Sequence, residues 1–372
     1  MHPGIAAATG YLLPPEAYWT EEWFEREQRL LFSRTWHLAA SETELANPGD
    51  FVTLEAGFDP LVVVRGLDGE LRCFHNLCRH RGMGLLAGCG NTRTGIVCPY
   101  HFWNFGLDGR LRRVPQLEDQ FPGMDLASWG LLPGSVGTWG GMVFAHPDPD
   151  AGTLDAWLGE LPKNIGSFQP ALLTEVAHEH LVAQCNWKLF VENHVDVLHL
   201  WYLHAGTLAD FDHPRFEWQQ LGRNWVSFEP LKRGVDNPRL NAATTTIKHI
   251  DERDAAGLGA HAAFPNVLMA TSSEFFVTYV ARPVAPDRTV VDLRIRAEPD
   301  ADAAALVRSA TSFIVEDIGG CERVQASVRS SRFGAGPLAR DHERPITLFH
   351  QHLSDALGVT STNGAAACAP NA

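Results

Sequence analysis

The sequence predicts an α+β protein in which a small antiparallel β domain precedes a larger domain, an antiparallel sheet surrounded by helices. Between about residues 38 and 146 the chain consists of short runs rich in β-branched and aromatic residues. After the proline-rich passage at 147–149, strand patterns alternate with helical patterns, the clearest of which lie at 186–204 and 303–329. A length of 372 residues with 45% hydrophobic content is enough for two domains with separate cores.

We predict four segments along the chain. Residues 1–37 form a helical segment that packs on the larger domain, because Thr20 can cap a helix with many large apolar side chains. Residues 38–150 form the β domain, and residues 151–357 form the α+β domain. The small and polar residues of 358–372 predict a disordered tail.

Strand-like runs and hairpin turns support both domains. The turns Asp68-Gly69 and Asp108-Gly109 are typical of β-hairpin loops. In the β domain the runs are Phe51–Leu54, Leu61–Val64, Leu71–Phe74, Gly95–Val97 and Met142–Ala145. In the larger domain they are Leu181–Cys185, Trp225–Phe228, Phe275–Ala281 and Val290–Ile295.

The composition excludes several classes of protein. A net charge of −14 argues against nucleic acid or an anionic membrane as a partner. No apolar run is long enough to span a bilayer, and the N-terminus lacks the pattern of a signal peptide, so we expect a soluble cytoplasmic protein. Seven cysteines, an odd number without an export signal, predict reduced thiols or metal ligands rather than a disulfide framework.

Two Cys-His pairs are the first chemical feature of the sequence. Cys78 and His80 form a C-x-H motif, Cys98 and His101 form a C-P-Y-H motif, and a glycine-containing turn follows each pair. Two thiolates and two imidazoles on separate loops can bind a zinc ion, or a [2Fe–2S] cluster with the thiolates on one iron and the imidazoles on the other. Spacing alone leaves both open.

The second feature is the apolar stretch 186–204, which contains Asp196, His199 and His204 but no basic residue after Lys188. We predict a buried helix on which Asp196 and His199 share a face, and which ends, bulges or bends between His199 and His204. Buried polar groups of this kind need partners. A divalent metal would satisfy all three, and the alternative is three hydrogen-bonded core residues.

The third feature is Asp317, which falls on the apolar stripe of the helix predicted at 303–329, a stripe that includes Phe313 and Val324. Glu316 lies off this stripe with Glu322 and Arg323, and these side chains are expected to reach water or one another. A buried aspartate that receives hydrogen bonds or pairs with arginine is one interpretation. Combined with His199 and His204, however, Asp317 completes the set of two imidazoles and one carboxylate that leaves positions open on Fe(II) for O₂.

Taken together, these features resemble the catalytic α subunit of the Rieske non-haem iron oxygenases, the aromatic-ring-hydroxylating oxygenases. The matching motifs are CRHRG, CPYHFW, WGGMVFAHPD, NWKLFVEN followed by D-x2-H-x4-H, and E-D-x4-E-x2-Q. The resemblance implies a Rieske [2Fe–2S] domain at 38–150 and a catalytic domain at 151–357. It also implies the cofactor ligands: Cys78 and Cys98 on one iron of the cluster, His80 and His101 on the other, and His199, His204 and Asp317 on a mononuclear Fe(II).

The resemblance further implies how electrons reach the mononuclear iron. Asp196 matches the acid that links a Rieske histidine of one subunit to the iron site of its neighbour in a head-to-tail trimer, so we assign it a catalytic role. The implied partners are an NAD(P)H-dependent reductase, with or without a separate ferredoxin. We expect a homotrimer, and the presence of a small β subunit is left open. Met83 and Tyr100 stand where high-potential Rieske proteins carry extra cysteines, which favours a low-potential cluster.

The expected function is that of a terminal oxygenase, which inserts oxygen from O₂ into an aromatic or similarly apolar small molecule. The family resemblance also allows an O- or N-demethylase or an enzyme acting on a quaternary amine. Alternatives of other classes are a Rieske electron carrier without oxygenase activity and a zinc-stabilised binding module. Asn193 and His194 are candidate supporting residues. Candidate cavity residues, which would equally suit an ordinary core, are Trp201, Phe264, Met269, Phe275 and Phe276.

Overall fold

A computed structural model describes residues 13–235, 245–334 and 336–359. The predicted tail therefore lies almost entirely outside the described residues. The described chain forms two compact units: Glu27–Trp157 is one, and the residues before it together with those from Leu158 onward form the other. The α+β fold class is confirmed, since both units contain antiparallel sheets and helices accompany the second.

The first unit is built on a seven-stranded sheet in which all neighbouring strands run antiparallel. Its strand order is β1-β10-β9-β4-β3-β2-β5. The strands are β1 (His37–Ser41), β2 (Asp50–Ala56), β3 (Asp59–Arg65), β4 (Leu71–His75), β5 (Cys89–Asn91), β9 (Pro133–Trp139) and β10 (Met142–His146). Val62 and Val64 face one hydrophobic core and Leu61 and Val63 face another, as the period of two along a strand requires.

A three-stranded antiparallel sheet carries the second Cys-His loop of this unit. Its strands are β6 (Gly95–Val97), β7 (Asn104–Gly106) and β8 (Leu111–Arg113), and two short helices, α2 (Leu117–Gln120) and α3 (Leu154–Leu158), lie further along the chain. The predicted turns are present: Gly69 and Gly109 adopt φ of +85° and +80°, values that glycine tolerates best. At Gly109 a side chain would also collide with the ring of Phe74.

The second unit contains another seven-stranded antiparallel sheet, in the order β11-β17-β16-β15-β14-β13-β12. Its strands are β11 (Thr174–Ala183), β12 (Glu217–Leu221), β13 (Asn224–Pro230), β14 (Gly257–Ala263), β15 (Val267–Thr271), β16 (Phe276–Ala285) and β17 (Arg288–Ala297). Its helices are α4 (Leu161–Asn164), α5 (Trp187–Val195), α6 (Glu252–Ala255), α7 (Ala303–Ser327) and α8 (Arg344–Leu357). Long hairpins place β14 to β17 side by side, and α5 and α7 contact each other.

Helix α1 (Glu21–Leu30) begins after Thr20, whose hydroxyl accepts a hydrogen bond from the Trp23 amide (3.4 Å). Just before it, the Tyr18 hydroxyl donates to Glu192 on α5 (2.7 Å), and His350 on α8 also bonds Glu192 (2.9 Å). This buried network ties the start of the described chain to two helices of the second unit. None of the described helices combines the length and apolar character needed to cross a membrane.

Candidate metal centres and cavity

Helix α5 ends earlier than the sequence predicts. Asn186 caps its start by accepting a hydrogen bond from the Lys188 amide (3.0 Å), and the last helical residue is Val195. Asp196 is extended (ψ 134°), so it does not share a helical face with His199, and that prediction is wrong. The Asp196 carboxylate instead accepts hydrogen bonds from the amides of Leu198 (2.7 Å) and His199 (3.2 Å) and thereby starts a separate turn.

This break brings the two histidines together. A single turn of 3₁₀ helix, Leu198–Trp201, follows Asp196, and His204 lies just beyond it. The rings of His199 and His204 meet edge to face with their centroids 5.1 Å apart. The interruption predicted between His199 and His204 is wrong in its position, because α5 already ends at Val195, before His199.

Helix α7 supplies the carboxylate. Asp317 Oδ1 lies 2.8 Å from Nε2 of His204 and 3.5 Å from Nε2 of His199. The structure thus brings together all three residues predicted to bind the mononuclear metal, with one ligand atom of each within 4.8 Å of the others. On the same helix Val324, predicted to lie on the apolar stripe, is 42% exposed.

The outer nitrogen of each histidine is held by a second carboxylate. His199 Nδ1 donates to Asp196 (3.1 Å), and His204 Nδ1 donates to Glu316 (2.8 Å), since an ionised carboxylate can only accept. Both Nε2 atoms therefore point towards Asp317. This is the arrangement that orients metal-bound histidines in proteins, so the donor set fits a divalent metal.

Sequence reasoning missed Glu316, which was expected to reach water. Besides His204, its carboxylate accepts a hydrogen bond from the Thr207 hydroxyl (2.7 Å). The helical periodicity of the sequence could not predict this contact, because Glu316 does lie off the apolar stripe of α7. Its side chain contacts His204 from beside that stripe. The signal present in the sequence was the adjacent pair of acids, Glu316 and Asp317.

The electrostatics of this cluster favour positive charge. Burial lowers the pKa of His199, but its hydrogen bonds with Asp196 and Asp317 outweigh burial and raise it to about 9. The pKa of His204 is raised in the same way, chiefly by Asp317. Burial raises the pKa of Asp317, but the two histidines outweigh it and lower the value to about 2. A buried carboxylate that stays ionised is a suitable ligand for a cation.

A cavity of about 70 Å³ opens beside these residues. Its described lining includes the aromatic rings of Phe216, Trp225, Tyr279 and Phe313, together with aliphatic and small residues. The complete described lining is Asn193, His194, Asp196, His199, Leu200, His204, Leu208, Phe216, Trp225, Ser227, Glu229, Leu258, Gly259, Ala260, Ala270, Tyr279, Phe313 and Asp317. The five cavity residues named from the sequence, from Trp201 to Phe276, are absent from it. Four of those five are buried in the core instead.

His194 and Asn193, which the sequence proposes as supporting residues of the metal site, border the cavity. His194 Nε2 lies 2.9 Å from the carbonyl oxygen of His261 and therefore donates to it, so the neutral ring accepts from the Tyr279 hydroxyl at Nδ1 (2.9 Å). Burial lowers the pKa of His194 to about 4, which keeps this imidazole neutral. The chain of hydrogen bonds fixes the Tyr279 ring as a wall of the cavity.

The second candidate centre lies in the first unit, on two loops with the same backbone pattern. In each loop the cysteine amide donates a hydrogen bond of 2.8 Å to the carbonyl of the residue five positions later. The pairs are Cys78 with Met83 and Cys98 with Trp103. The residue four positions after each cysteine has a positive φ, and its amide donates a hydrogen bond to the cysteine carbonyl. This residue is Gly82 (φ +70°) in the first loop and Phe102 (φ +58°) in the second.

These loops bring the four predicted cluster residues together in two pairs, one of cysteines and one of histidines. Cys78 and Cys98 are buried in the core, and their thiols are neighbours: burial raises the pKa of Cys78, and the adjacent Cys98 thiol raises it further. The Nδ1 atoms of His80 and His101 lie 3.1 Å apart, and the His80 ring stacks on Trp103. One pair of neighbouring thiols and one pair of neighbouring imidazoles on matching loops are the donor types of a [2Fe–2S] cluster with mixed ligands.

Comparison with known proteins places both units in families. Residues 35–129 match the model of the Rieske [2Fe-2S] domain. Residues 170–358, which are more than half of the chain, match the model of the ring hydroxylating alpha subunit (catalytic domain). The expected cofactors, a [2Fe–2S] Rieske cluster and a mononuclear non-haem iron, are those of these two domains.

Relatives and solved structures agree with this assignment. The chain is 33% identical to the biphenyl 2,3-dioxygenase subunit alpha of Rhodococcus jostii (strain RHA1) over 69% of its own length, but it spans only about half (53%) of that relative. It is 26% identical to the glycine betaine monooxygenase oxygenase subunit of Chromohalobacter salexigens, covering 93% of this chain and 85% of the relative.

Among solved structures, the quaternary ammonium Rieske monooxygenase CntA in complex with an inhibitor has the same fold. Its TM-score is 0.80 at 23% identity, covering 94% of this chain and 96% of the other. With the two domain matches, the fold and the two donor sets, the chain belongs to the alpha subunits of the Rieske non-haem iron oxygenases.

Proposed function

We propose that this protein is a terminal oxygenase component, which inserts oxygen from O₂ into a neutral aromatic or similarly apolar small molecule. The observation that carries the proposal is the meeting of His199, His204 and Asp317 at one end of an apolar cavity. Two imidazoles and one carboxylate leave coordination positions free, and those positions would face a ligand in the cavity.

We assign the ligands residue by residue. His199, His204 and Asp317 hold the mononuclear iron, whereas Cys78, Cys98, His80 and His101 hold the Rieske cluster. When bound, the cluster supplies electrons and the mononuclear iron supplies the site of O₂ activation. The protein itself binds the substrate, orients the metal ligands and excludes water from the site.

Several side chains carry out that contribution. Asp196 fixes the ring of His199, and Glu316 fixes the ring of His204 through the outer nitrogens. Tyr279, held by His194, and the neighbouring aromatic rings exclude water from the space beside Asp317.

The lining of the cavity favours a neutral substrate. No lysine or arginine occurs among its described residues, so the carboxylate of a zwitterionic substrate has no cationic partner there. The carboxylates that do border it are already engaged: Asp196 and Asp317 by the histidines, and Glu229 by His213. An apolar molecule that is buried against Phe216, Trp225 and Phe313 needs neither a cationic nor an anionic partner.

A quaternary amine is the second candidate, because several relatives are named for such substrates. The rings of Phe216, Trp225 and Tyr279 offer faces that could bind a quaternary ammonium group by cation–π contact. A cation without a carboxylate would suit this cavity better than a betaine would. An O- or N-demethylase would use the same cavity with a methylated substrate.

The partners follow from the same proposal. A reductase using NAD(P)H, with or without a ferredoxin, delivers electrons, and the chain works as a cytoplasmic homotrimer in which Asp196 bridges to a Rieske histidine of the neighbouring chain. A monomer is then expected to be nearly inactive.

The experiment is a substrate panel with the loaded protein, a reductase and NADH, read as coupled O₂ uptake and product formation. The panel contains a neutral aromatic hydrocarbon, a tetraalkylammonium ion and a zwitterionic betaine. We expect product from the aromatic compound. Product from the betaine alone would overturn the substrate proposal, and reduction of the cluster without O₂ uptake on any compound would instead indicate an electron carrier.

A further inference from the structure

The sheet of the second unit carries another cluster of potential ligands, remote in sequence from the iron site. His178 and His180 are two residues apart on β11 and therefore project from the same face of the strand. Asp292 on β17 is the direct cross-strand partner of His180, and it lies diagonal to His178. The register of two antiparallel strands thus brings three metal-ligating side chains together.

The distances are close to those of the mononuclear site. His178 Nε2 is 2.8 Å and His180 Nε2 is 4.0 Å from the same oxygen, Asp292 Oδ1. One ligand atom of each residue lies within 4.8 Å of the others, and the imidazole centroids are 4.7 Å apart. The side chains of His178 and His180 are 30% and 58% exposed, whereas that of Asp292 is 6% exposed, so an ion has access to an anchored carboxylate.

The two oxygens of Asp292 have different partners. Arg282 donates to Oδ2 through Nε (3.0 Å) and Nη2 (2.8 Å), while Oδ1 faces the imidazoles and lies 3.8 Å from Nε of Arg294. Burial raises the pKa of Asp292, but His178 and the guanidinium groups of Arg282 and Arg294 outweigh burial and hold the pKa below its usual range. The carboxylate is therefore both oriented and ionised, with one oxygen left towards the histidines.

This cluster lies on the face of the sheet away from the iron site. Tyr279, which borders the iron-site cavity, is opposite Leu293, and Leu293 is opposite Glu179. Glu179 alternates with His178 and His180 along β11, so those histidines project from the other face. An ion bound to them could not be the mononuclear iron.

We infer that His178, His180 and Asp292 form a second metal site, selective for borderline divalent ions such as Zn²⁺, Ni²⁺ or Co²⁺. Two imidazoles and one carboxylate are the donors that these ions prefer, whereas Mg²⁺ and Ca²⁺ prefer oxygen alone. The ion replaces the proton that His178 shares with Asp292, and water completes its coordination. Arg282 and Arg294 repel a cation, so this site binds more weakly than a site without them.

The test is zinc binding to the tag-free full-length protein with its resident iron sites already filled. Equilibrium dialysis against Zn²⁺, with zinc and iron counted together, gives the extra zinc per chain while a constant iron count excludes exchange. We expect about one extra zinc, and at least ~10-fold weaker binding after His180→Ala or His178→Ala. Glu179→Ala, on the opposite face of the same strand, is the matched control and keeps the zinc.

A second readout guards against a folding artefact. Bound zinc joins two strands of the native sheet, so it raises the melting temperature of the wild type but not that of His180→Ala. Equal zinc uptake by the wild type and His180→Ala would overturn the proposal, and so would a wild type that takes up no extra zinc. Either result would leave the cluster as a histidine–carboxylate ion pair. The proposed oxygenase function does not depend on this outcome.

Discussion

Removal of the Glu316 carboxylate tests whether this side chain orients His204 as a ligand of the proposed mononuclear iron. Its Oε2 accepts from His204 Nδ1 at 2.8 Å and from the Thr207 hydroxyl at 2.7 Å. His204 is 1% exposed, so Glu316→Ala leaves a buried N–H without its acceptor, which costs ~1–3 kcal/mol. Loss of such an outer partner typically weakens metal binding ~10–100-fold.

The structure indicates the lower end of that range. The Glu316 side chain is 36% exposed, so water can partly replace it, and we expect about 10-fold weaker Fe(II) binding, or ~1.4 kcal/mol. Glu316→Gln keeps an acceptor oxygen and should lose less than ~3-fold. The loss of affinity in Thr207→Val should fall between these two, because the variant removes a hydroxyl that donates to Glu316 and lies 3.4 Å from His204 Nδ1.

The assay is anaerobic titration of the iron-depleted catalytic site with Fe(II), followed by a competing chelator, in protein that retains its cluster. Glu322→Ala is the control, because Glu322 is on the same helix and bonds the Gln184 amide rather than a site histidine. Fe(II) affinity of Glu316→Ala within twofold of the wild type would refute the assigned role. Equal losses in Glu316→Ala and Glu322→Ala would show a general effect on α7 instead.

Three other predictions concern the cluster domain and electron delivery. Asp196→Asn should leave both metal centres bound, by iron count, yet cut coupled turnover severely, and normal turnover would contradict the bridging role. Gly82→Ala should destabilise the protein by ~1–2 kcal/mol in denaturant unfolding, because φ is +70°, whereas Gly84→Ala, also with free space for a Cβ, should not; equal effects would contradict the strain argument. Iodoacetamide at pH 8 should label exposed Cys89 but not Cys73, because burial raises the pKa of Cys73 to about 12 and the thiolate is absent below it; labelling of Cys73 in native protein, read by mass spectrometry, would show that this core opens.

Much of the fold was predictable from local patterns. The strand runs around Phe51–Leu54 and Leu61–Val64 alternate or are uniformly apolar, and the Asp-Gly pairs at 68–69 and 108–109 close turns that need positive φ. The helix predicted from Ala303 is observed with its end at Ser327. The sequence order of strands says little about their spatial order, and β5 beside β2 in the first sheet could not have been predicted from it.

The site was predictable in its donors but less so in its surroundings. His199, His204 and Asp317 were recognisable because charged groups stood among core residues. The end of α5 at Val195 was missed, since the apolar period continues through residues that the Asp196 carboxylate diverts into a new turn. The walls of the cavity come from β13 to β16, and which side chains face it depends on strand register, which periodicity cannot supply.

The central claim is that one iron bound by His199, His204 and Asp317 accompanies a two-iron cluster in each chain. Iron and acid-labile sulfide counted in the wild type and in His204→Ala, alongside the visible spectrum, test it most directly. We predict about three irons and two sulfides in the wild type, and about two of each in His204→Ala with the cluster spectrum unchanged. Two irons in the wild type, three in His204→Ala, or a colourless zinc protein would contradict it.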